Sequence, residues 1–317
     1  MKILVTGGAG FIGGHLSAAL VAAGHSVTVV DNLSSGRREF VPCSATLVEA
    51  DVTSSEFGVI LSSFAPEAVY HLAAQISVSL SARDPGFDAQ ENICGGLNVL
   101  SAAADAGVRK FIIASSGAVY GTSPEIPFSE TSPKCPVSPY GIAKYSLEHY
   151  CRYFAQYRGL HTTVLRLGNV YGPRQNPLGE AGVVAIFLQR MLEGKPVEIH
   201  GTGEQAKDYV YVTDVVDAMV KALDVELPPD AEADARAFNI GTGNAWPVND
   251  IFQRLSKLTG YTQQPLSGPL REGDQMMAKL DARKAREVLG WSPKVTWEEG
   301  LALTAQWFKE NLSLFAR

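Results

Sequence analysis

The sequence predicts an α/β protein: a Rossmann-type, doubly wound parallel sheet with a smaller, interleaved C-terminal α/β unit. Three observations predict it. Short β-rich runs alternate with longer helical patterns through the first half. Those runs are apolar throughout, as strands covered on both faces are. A glycine-rich turn joins the first run to the first helix. In order, Ile3-Leu4-Val5 is the first strand, and Phe11–Ala23 is a helix in which Ile12, Leu16 and Leu20 recur at four-residue spacing. Runs at 26–30, 46–49, 68–71 and 111–114 supply four more strands, with helical stretches at 55–63 and 88–107. Residues 121–139 contain five prolines and read as a long loop. A helix over 140–157 and a buried strand over 162–167 follow.

After Gly168 the loops lengthen and Pro and Gly punctuate shorter elements, which marks a second unit. Because 209–212 and 238–240 again look like core strands, the two units are expected to interleave. Residues 1–167 and 208–240 form the first, and 168–207 and 241–317 the second. The competing division is one large α/β domain.

Composition narrows the partners. The 317 residues are 46% hydrophobic and 19% charged, with net charge −6. This excludes a disordered chain and lacks the basic stripe of a nucleic-acid binder. Cys43, Cys94, Cys135 and Cys151 form no C-x-x-C pair and have no histidines at ligand spacing, so free thiols and no metal are expected. The apolar run Ile3-Leu4-Val5 is too short for a signal-peptide core, and Gly24-His25-Ser26 breaks the apolar stretch at 20–30. A cytoplasmic protein without membrane or nucleic-acid partners is expected.

Two constellations carry chemistry. Gly7-x-x-Gly10-x-x-Gly13 lies between strand and helix, where glycines let the backbone approach a pyrophosphate held at a helix N-terminus. Asp31 ends the second strand, placed to accept from an adenosine ribose and to repel a 2′-phosphate, which favours NAD over NADP; Arg37 and Arg38 weaken that preference. Asp51-Val52, after the third strand, is expected at the adenine edge. The second constellation is Tyr140-x-x-x-Lys144, one helical turn apart on one face. With eleven tyrosines such a pair arises by chance roughly 0.4 times per chain, so position decides. The pair opens the helix after the fifth strand, whose C-terminal end carries Ser115-Ser116, where α/β ligands collect. Half-ionising a tyrosine at neutral pH requires a shift of roughly 3 units, about 4 kcal/mol, which a nearby ammonium and a cationic nicotinamide ring are expected to supply.

Together with His71-Leu72-Ala73-Ala74 and Ser115-Ser116-Gly117-Ala118-Val119-Tyr120-Gly121, these motifs resemble the extended short-chain dehydrogenase/reductases. Asn169-Val170-Tyr171-Gly172-Pro173 and Lys207-Asp208-Tyr209-Val210-Tyr211-Val212 narrow the resemblance to the nucleotide-sugar branch, and the stretch 179–184 to short bacterial UDP-glucose 4-epimerases. The resemblance spans almost the whole chain. It implies a UDP-sugar 4-epimerase with a retained NAD: Tyr140 removes the C4-hydroxyl proton, a 4-keto sugar swings about its diphosphate, and the other face is reduced. It further implies Ser116 on the reacting oxygen with Ser115 in support, and Lys144 on the nicotinamide ribose. Gly7, Gly10, Phe11, Ile12, Gly13, Asp31, Asn32, Asp51, Val52, Leu72, Ala73, Ala74 and Asn92 would line the cofactor. On the UDP-sugar side it implies Asn169, Val183, Lys207 and Arg271, with Asp274 on the uridine ribose.

The usual residue at 207 is arginine; lysine cannot fork two phosphate oxygens. The resemblance implies that Ala278 falls at the sugar gate, where the family's epimerases restricted to plain hexoses tend to carry tyrosine, and Arg174 is the nearest candidate cation for a C6 carboxylate. The sugar is therefore left open among UDP-glucose, UDP-N-acetylglucosamine and UDP-glucuronate, with UDP-glucuronate 4-epimerisation as the alternative main activity. A homodimer through helices 88–106 and 140–157 is implied. Dehydratases and decarboxylases place acids after the active-site serine, where this chain has Gly117 and Ala118. A reductase exchanging NADP and a non-catalytic NAD-binding protein are the remaining readings.

Overall fold

A computed structural model describes residues 1–178, 182–269 and 276–315. In chain order the strands are β1 (Lys2–Thr6), β2 (Ser26–Asp31), β3 (Thr46–Glu49), β4 (Ala68–His71), β5 (Lys110–Ser116), β6 (His161–Leu167), β7 (Asn169–Tyr171), β8 (Glu198–His200), β9 (Ala206–Tyr211), β10 (Ala237–Ile240), β11 (Ala245–Pro247), β12 (Leu266–Gly268) and β13 (Met277–Ala278). The helices are α1 (Phe11–Ala22), α2 (Phe57–Phe64), α3 (Val78–Arg83), α4 (Pro85–Ala89), α5 (Gly95–Asp105), α6 (Pro139–Arg158), α7 (Val183–Leu192), α8 (Val212–Ala222), α9 (Ala233–Arg236), α10 (Val248–Thr259), α11 (Arg283–Leu289) and α12 (Trp297–Asn311).

The expected doubly wound sheet is present. Seven strands run parallel in the order β3-β2-β1-β4-β5-β6-β10. Alternation along each strand divides its apolar side chains between two layers. Ile3, Val5, Val29, Tyr70, Ile112 and Leu165 pack with Leu16 of α1, Met219 of α8 and Leu289 of α11. Leu4, Val30, Val69, Phe111, Ile113 and Val164 pack with Leu61 of α2, Leu100 of α5 and Phe154 of α6. The winding reverses between β1 and β4, and ligands of such sheets collect at the strand C-termini at that reversal.

A smaller sheet orders β11-β9-β13, with β7 also pairing β9. Tyr171, Tyr209, Tyr211 and Trp297 cover it together with α7, α10 and α12. Of residues 208–240, β10 joins the large sheet and α8 packs on α1, whereas β9 pairs only within the small sheet.

One buried cation ties these layers together. Arg166 on β6 is fully buried and grips Glu148 of α6 with two nitrogens, Nη2 reaching Oε2 at 2.6 Å. It also donates to the Tyr120 hydroxyl, the Glu130 carbonyl and Asp234 of α9. The proline-rich loop is thereby fastened under the sheet end, and Asn239 of β10 secures it further by donating to the Glu130 carboxylate and the Phe128 carbonyl. Removing one partner of such a pair leaves an uncompensated buried charge. Arg166→Met is therefore expected to lower the unfolding free energy by about 3–5 kcal/mol, read as a drop in the urea midpoint. A midpoint equal to that of the wild type would show that the pair supports nothing.

Candidate active site

The site is built outward from the end of β1. Thr6 is buried there, its hydroxyl 2.8 Å from Nδ1 of His71 at the end of β4. The same oxygen accepts from the backbone N–H groups of Leu72 and Ala73. This holds the segment Leu72-Ala73-Ala74 against the glycine turn so closely that a Cβ on Gly7 would lie 2.6 Å from the Ala73 nitrogen. Gly7 also has φ +68°, so both the turn and the contact require glycine. A Cβ on Gly13 would meet the Gly7 carbonyl at 2.1 Å, and Gly10 donates to that carbonyl.

Helix α1 starts with no side-chain cap and no acid in its first turn. The N–H groups of Phe11, Ile12 and Gly13 thus have no intrahelical partner and face outward with the positive end of the helix dipole. Asp31 accepts from Ala9 N–H at 3.0 Å and Leu33 N–H at 2.8 Å, so its carboxylate is held at the lip of the turn. Arg38 pairs with Glu49 and Arg37 lies over the Phe315 ring, so both arginines have partners away from Asp31. Asn32 donates to Asp51, whose carboxylate also accepts from Thr53; these bonds keep it ionised below the usual carboxylate range despite partial burial. Asn98 holds the Val52 carbonyl. An uncapped helix N-terminus, a cradle that Cβ atoms would fill and a fixed carboxylate fit NAD.

At the other end of the cleft, β5 delivers Ser116 and α6 delivers Tyr140 and Lys144. Ser138 caps α6 by accepting from Gly141 N–H, and Pro139 supplies its fixed φ at the first helical position. This short start sets Tyr140 opposite the β5 terminus, where Ser116 bears on its phenol. Lys144 is buried, donates to the Ala114 carbonyl at 3.2 Å, and lies 5.7 Å from the Tyr140 ring centre. The lowering of the Tyr140 pKa expected from Lys144 and a nicotinamide cation together does not come from the protein groups alone. Burial pushes the phenol up to about 12, the Ser116 hydroxyl pulls it down, and Asp88 adds a further upward push. Burial likewise presses Lys144 down to about 8. With the Lys144 ammonium alone beside it, Tyr140 is thus a neutral phenol, and further positive charge is needed to lower it.

Ser115, expected as a supporting group, faces the other way. Successive strand residues point to opposite faces, and the Ser115 hydroxyl donates to Glu148 inside the core. Asn92 lies in a π-helical segment between α4 and α5 and is buried; its amide is taken up by Gln75 and Asp88. It therefore fixes the segment after β4.

On the substrate side, Lys207 sits on β9 between Trp246 of β11 and Ala278 of β13. Neighbouring Asp208 is buried and accepts from Thr242, Gly243 and Leu280, locking that register. Ala278 packs against the cluster of Val119, Tyr120, Phe128 and Leu280, which brings it alongside the turn after Ser116. Asn169 opens β7 opposite Tyr209 and is exposed; Val183 opens α7. Arg174 stacks on Phe40, 5.4 Å from the ring centre, and its charge bears on His15 of α1. Arg174 and Ala278 thus contact different residues. Arg271 and Asp274 lie outside the described residues. Thr6, Gln75, Asp88, Glu148 and Asp208 were not assigned roles from sequence. Of these, only Glu148 has a plain signal, its four-residue spacing from Lys144 on the face that bears Tyr140.

Residues 3–241 match the model of the NAD dependent epimerase/dehydratase family. The chain is 42% identical to UDP-glucose 4-epimerase of Mycolicibacterium smegmatis over 98% of this chain and 99% of that protein. Its structure is similar to that of UDP-glucose 4-epimerase from Thermotoga maritima, solved with UDP-glucose (TM-score 0.94, 49% identity, covering 98% and 100% of the two chains). It is also similar to the Thermus thermophilus UDP-glucose 4-epimerase solved with NAD (TM-score 0.91, 41% identity, covering 98% and 99%). The chain belongs to the NAD dependent epimerase/dehydratase family.

Proposed function

We infer that the chain is an NAD-dependent UDP-sugar 4-epimerase that inverts C4 of the hexose through a transient 4-keto sugar. The observation that carries this reading is the convergence of Ser116 at the end of β5 with Tyr140 and, one turn on, buried Lys144 of α6, at the far end of a cleft whose near end fits a dinucleotide. When bound, NAD supplies reversible hydride exchange at C4. Tyr140 takes the C4-hydroxyl proton and returns it once the sugar has presented its other face. Ser116 holds the same oxygen, and Lys144 holds the nicotinamide ribose and keeps positive charge near the phenol. Gly117 and Ala118 offer no acid or base for dehydration or decarboxylation.

Lys207 and Asn169 are assigned to the diphosphate, with Val183 at the start of α7 lining the nucleotide. The UDP-sugar unit is assigned residues 168–211 and 241–317, since β9 pairs within the small sheet, and the NAD unit 1–167 with 212–240, against which α11 packs back. UDP-glucuronate as main substrate would need a cation at the gate, and Arg174 is engaged with Phe40 instead. A cytoplasmic location belongs to this reading; among the described residues no helix is long and apolar enough to cross a membrane.

Tyr140→Phe keeps the ring and removes the proton acceptor. Epimerisation should fall by about 10²–10⁴-fold, while the NAD released on denaturation stays at the wild-type amount. Turnover near the wild-type rate would remove Tyr140 as the base.

Two substitutions separate grip from shape on the substrate side. Lys207→Ala should raise KM for every UDP-sugar more than it lowers kcat. Ala278→Tyr should cut activity on UDP-N-acetylglucosamine at least tenfold, about 1.4 kcal/mol, and largely spare UDP-glucose. Equal losses on both sugars, or none, would dismiss the gate.

A homodimer completes the reading. Ile142, Tyr150, Tyr153 and Tyr157 of α6 and Phe87 of α4 are exposed, an apolar face that a second copy would cover. Sedimentation equilibrium is expected to return twice the chain mass of 34.0 kDa; a species of single mass would rule the dimer out.

A further inference from the structure

We propose that Asp88 is a positioning residue for this reaction: its buried carboxylate is the counter-charge that holds Lys144 as an ammonium beside Tyr140. Asp88 lies on α4, which packs directly against α6. It is 1% exposed, although a lone carboxylate is costly to bury. Only one of its oxygens is satisfied. Oδ1 accepts from Gln75 Nε2 at 2.7 Å and from Asn92 Nδ2 at 2.9 Å, whereas buried Oδ2 has no hydrogen-bond partner among the described residues. The ring of Gln75, Asn92 and Asp88 fixes the carboxylate without neutralising it.

The charged and titratable groups that bear on it are Lys144 and Tyr140, both on α6. Lys144 in turn is influenced by two carboxylates, Asp88 and Glu148. Glu148 is already gripped by Arg166, so its charge is largely spent. Asp88 is the carboxylate left to offset the burial that presses Lys144 toward its neutral form. The sign is set by that balance. Lys144 keeps its proton below its own titration point and loses it above, so removing the Asp88 charge moves the loss to lower pH.

This proposal rests on the epimerase reading, and its test has a readout independent of turnover. Asp88→Asn is nearly isosteric. Its amide oxygen can still accept from Gln75 and Asn92, and its NH₂ occupies the place of the unpartnered oxygen. The experiment titrates protein labelled with 13C at lysine Cε, with the Lys144 resonance assigned by its loss in Lys144→Arg. In Asp88→Asn the Lys144 midpoint should fall by about one pH unit or more, and the alkaline limb of kcat should move down by the same amount with KM for UDP-glucose unchanged. Asp88→Glu, which keeps the charge, should restore both toward the wild type. A purely structural role predicts no movement in Asp88→Asn, and a Lys144 midpoint equal to that of the wild type would overturn the proposal. If Asp88→Asn does not fold, Asp88→Ser removes the same charge and is read the same way. A shifted Lys144 midpoint in a protein that epimerises nothing would sustain the counter-charge and discard the epimerase.

Discussion

The geometry of the active centre depends on the buried pair of Arg166 and Glu148. Tyr140 and Lys144 lie on the same face of α6 as Glu148, and Glu148 is anchored to β6 through Arg166 and to β5 through Ser115. Ser115 and Arg166 are opposite one another in the sheet register, so one ion pair fixes both the rotation and the height of α6 over the strand that ends in Ser116. A helix free to roll by a fraction of a turn would carry the Tyr140 hydroxyl out of reach of Ser116. The same guanidinium pins Tyr120 and the loop carrying Phe128, both of the cluster against which Ala278 packs, so Ala278 and the Ser116–Tyr140 end of the cleft share one support.

Electrostatically, the cleft is graded. At the glycine turn a helix N-terminus with no side-chain cap favours an anion. At the far end, burial raises the phenol and lowers the ammonium, so that the resting pair is less charged than in water. Basicity at Tyr140 is therefore conditional on bound positive charge. This suits an enzyme that ought not to strip protons when its cleft is incomplete. His71 stays neutral at the switch point, since burial and the Lys144 charge hold it down to about 3, and it serves as a hydrogen-bonding prop for Thr6.

Much of this was legible in the sequence because it is written in periodicity and turn chemistry. The apolar runs, the glycine turn, Asp31 at the end of β2 and the Tyr-x-x-x-Lys helix all arise from local rules, and their order along the chain fixes the parallel sheet. What was not legible depends on contacts between distant segments. The alternation of strand faces was enough to separate Ser115 from Ser116, but not to reveal that Arg166, on another strand, waited on the far side. Asp88 and Gln75 carry no motif; their meeting with Asn92 is made by the packing of α4 on α6. Arg174 was assigned by nearness in sequence to Asn169, and the turn after β7 directs it to Phe40 instead. The raised Tyr140 shows that burial outweighs what the protein's own groups supply, so the shift expected from sequence falls to the nicotinamide charge.

The central claim is that C4 is oxidised and re-reduced within one closed cleft by a cofactor that never leaves. Its most direct test uses UDP-glucose deuterated at C4, incubated with purified protein and no added nicotinamide cofactor. UDP-galactose should form with the deuterium still on C4. Loss of the label to solvent, or product that appears only when NAD or NADP is supplied, would contradict the account.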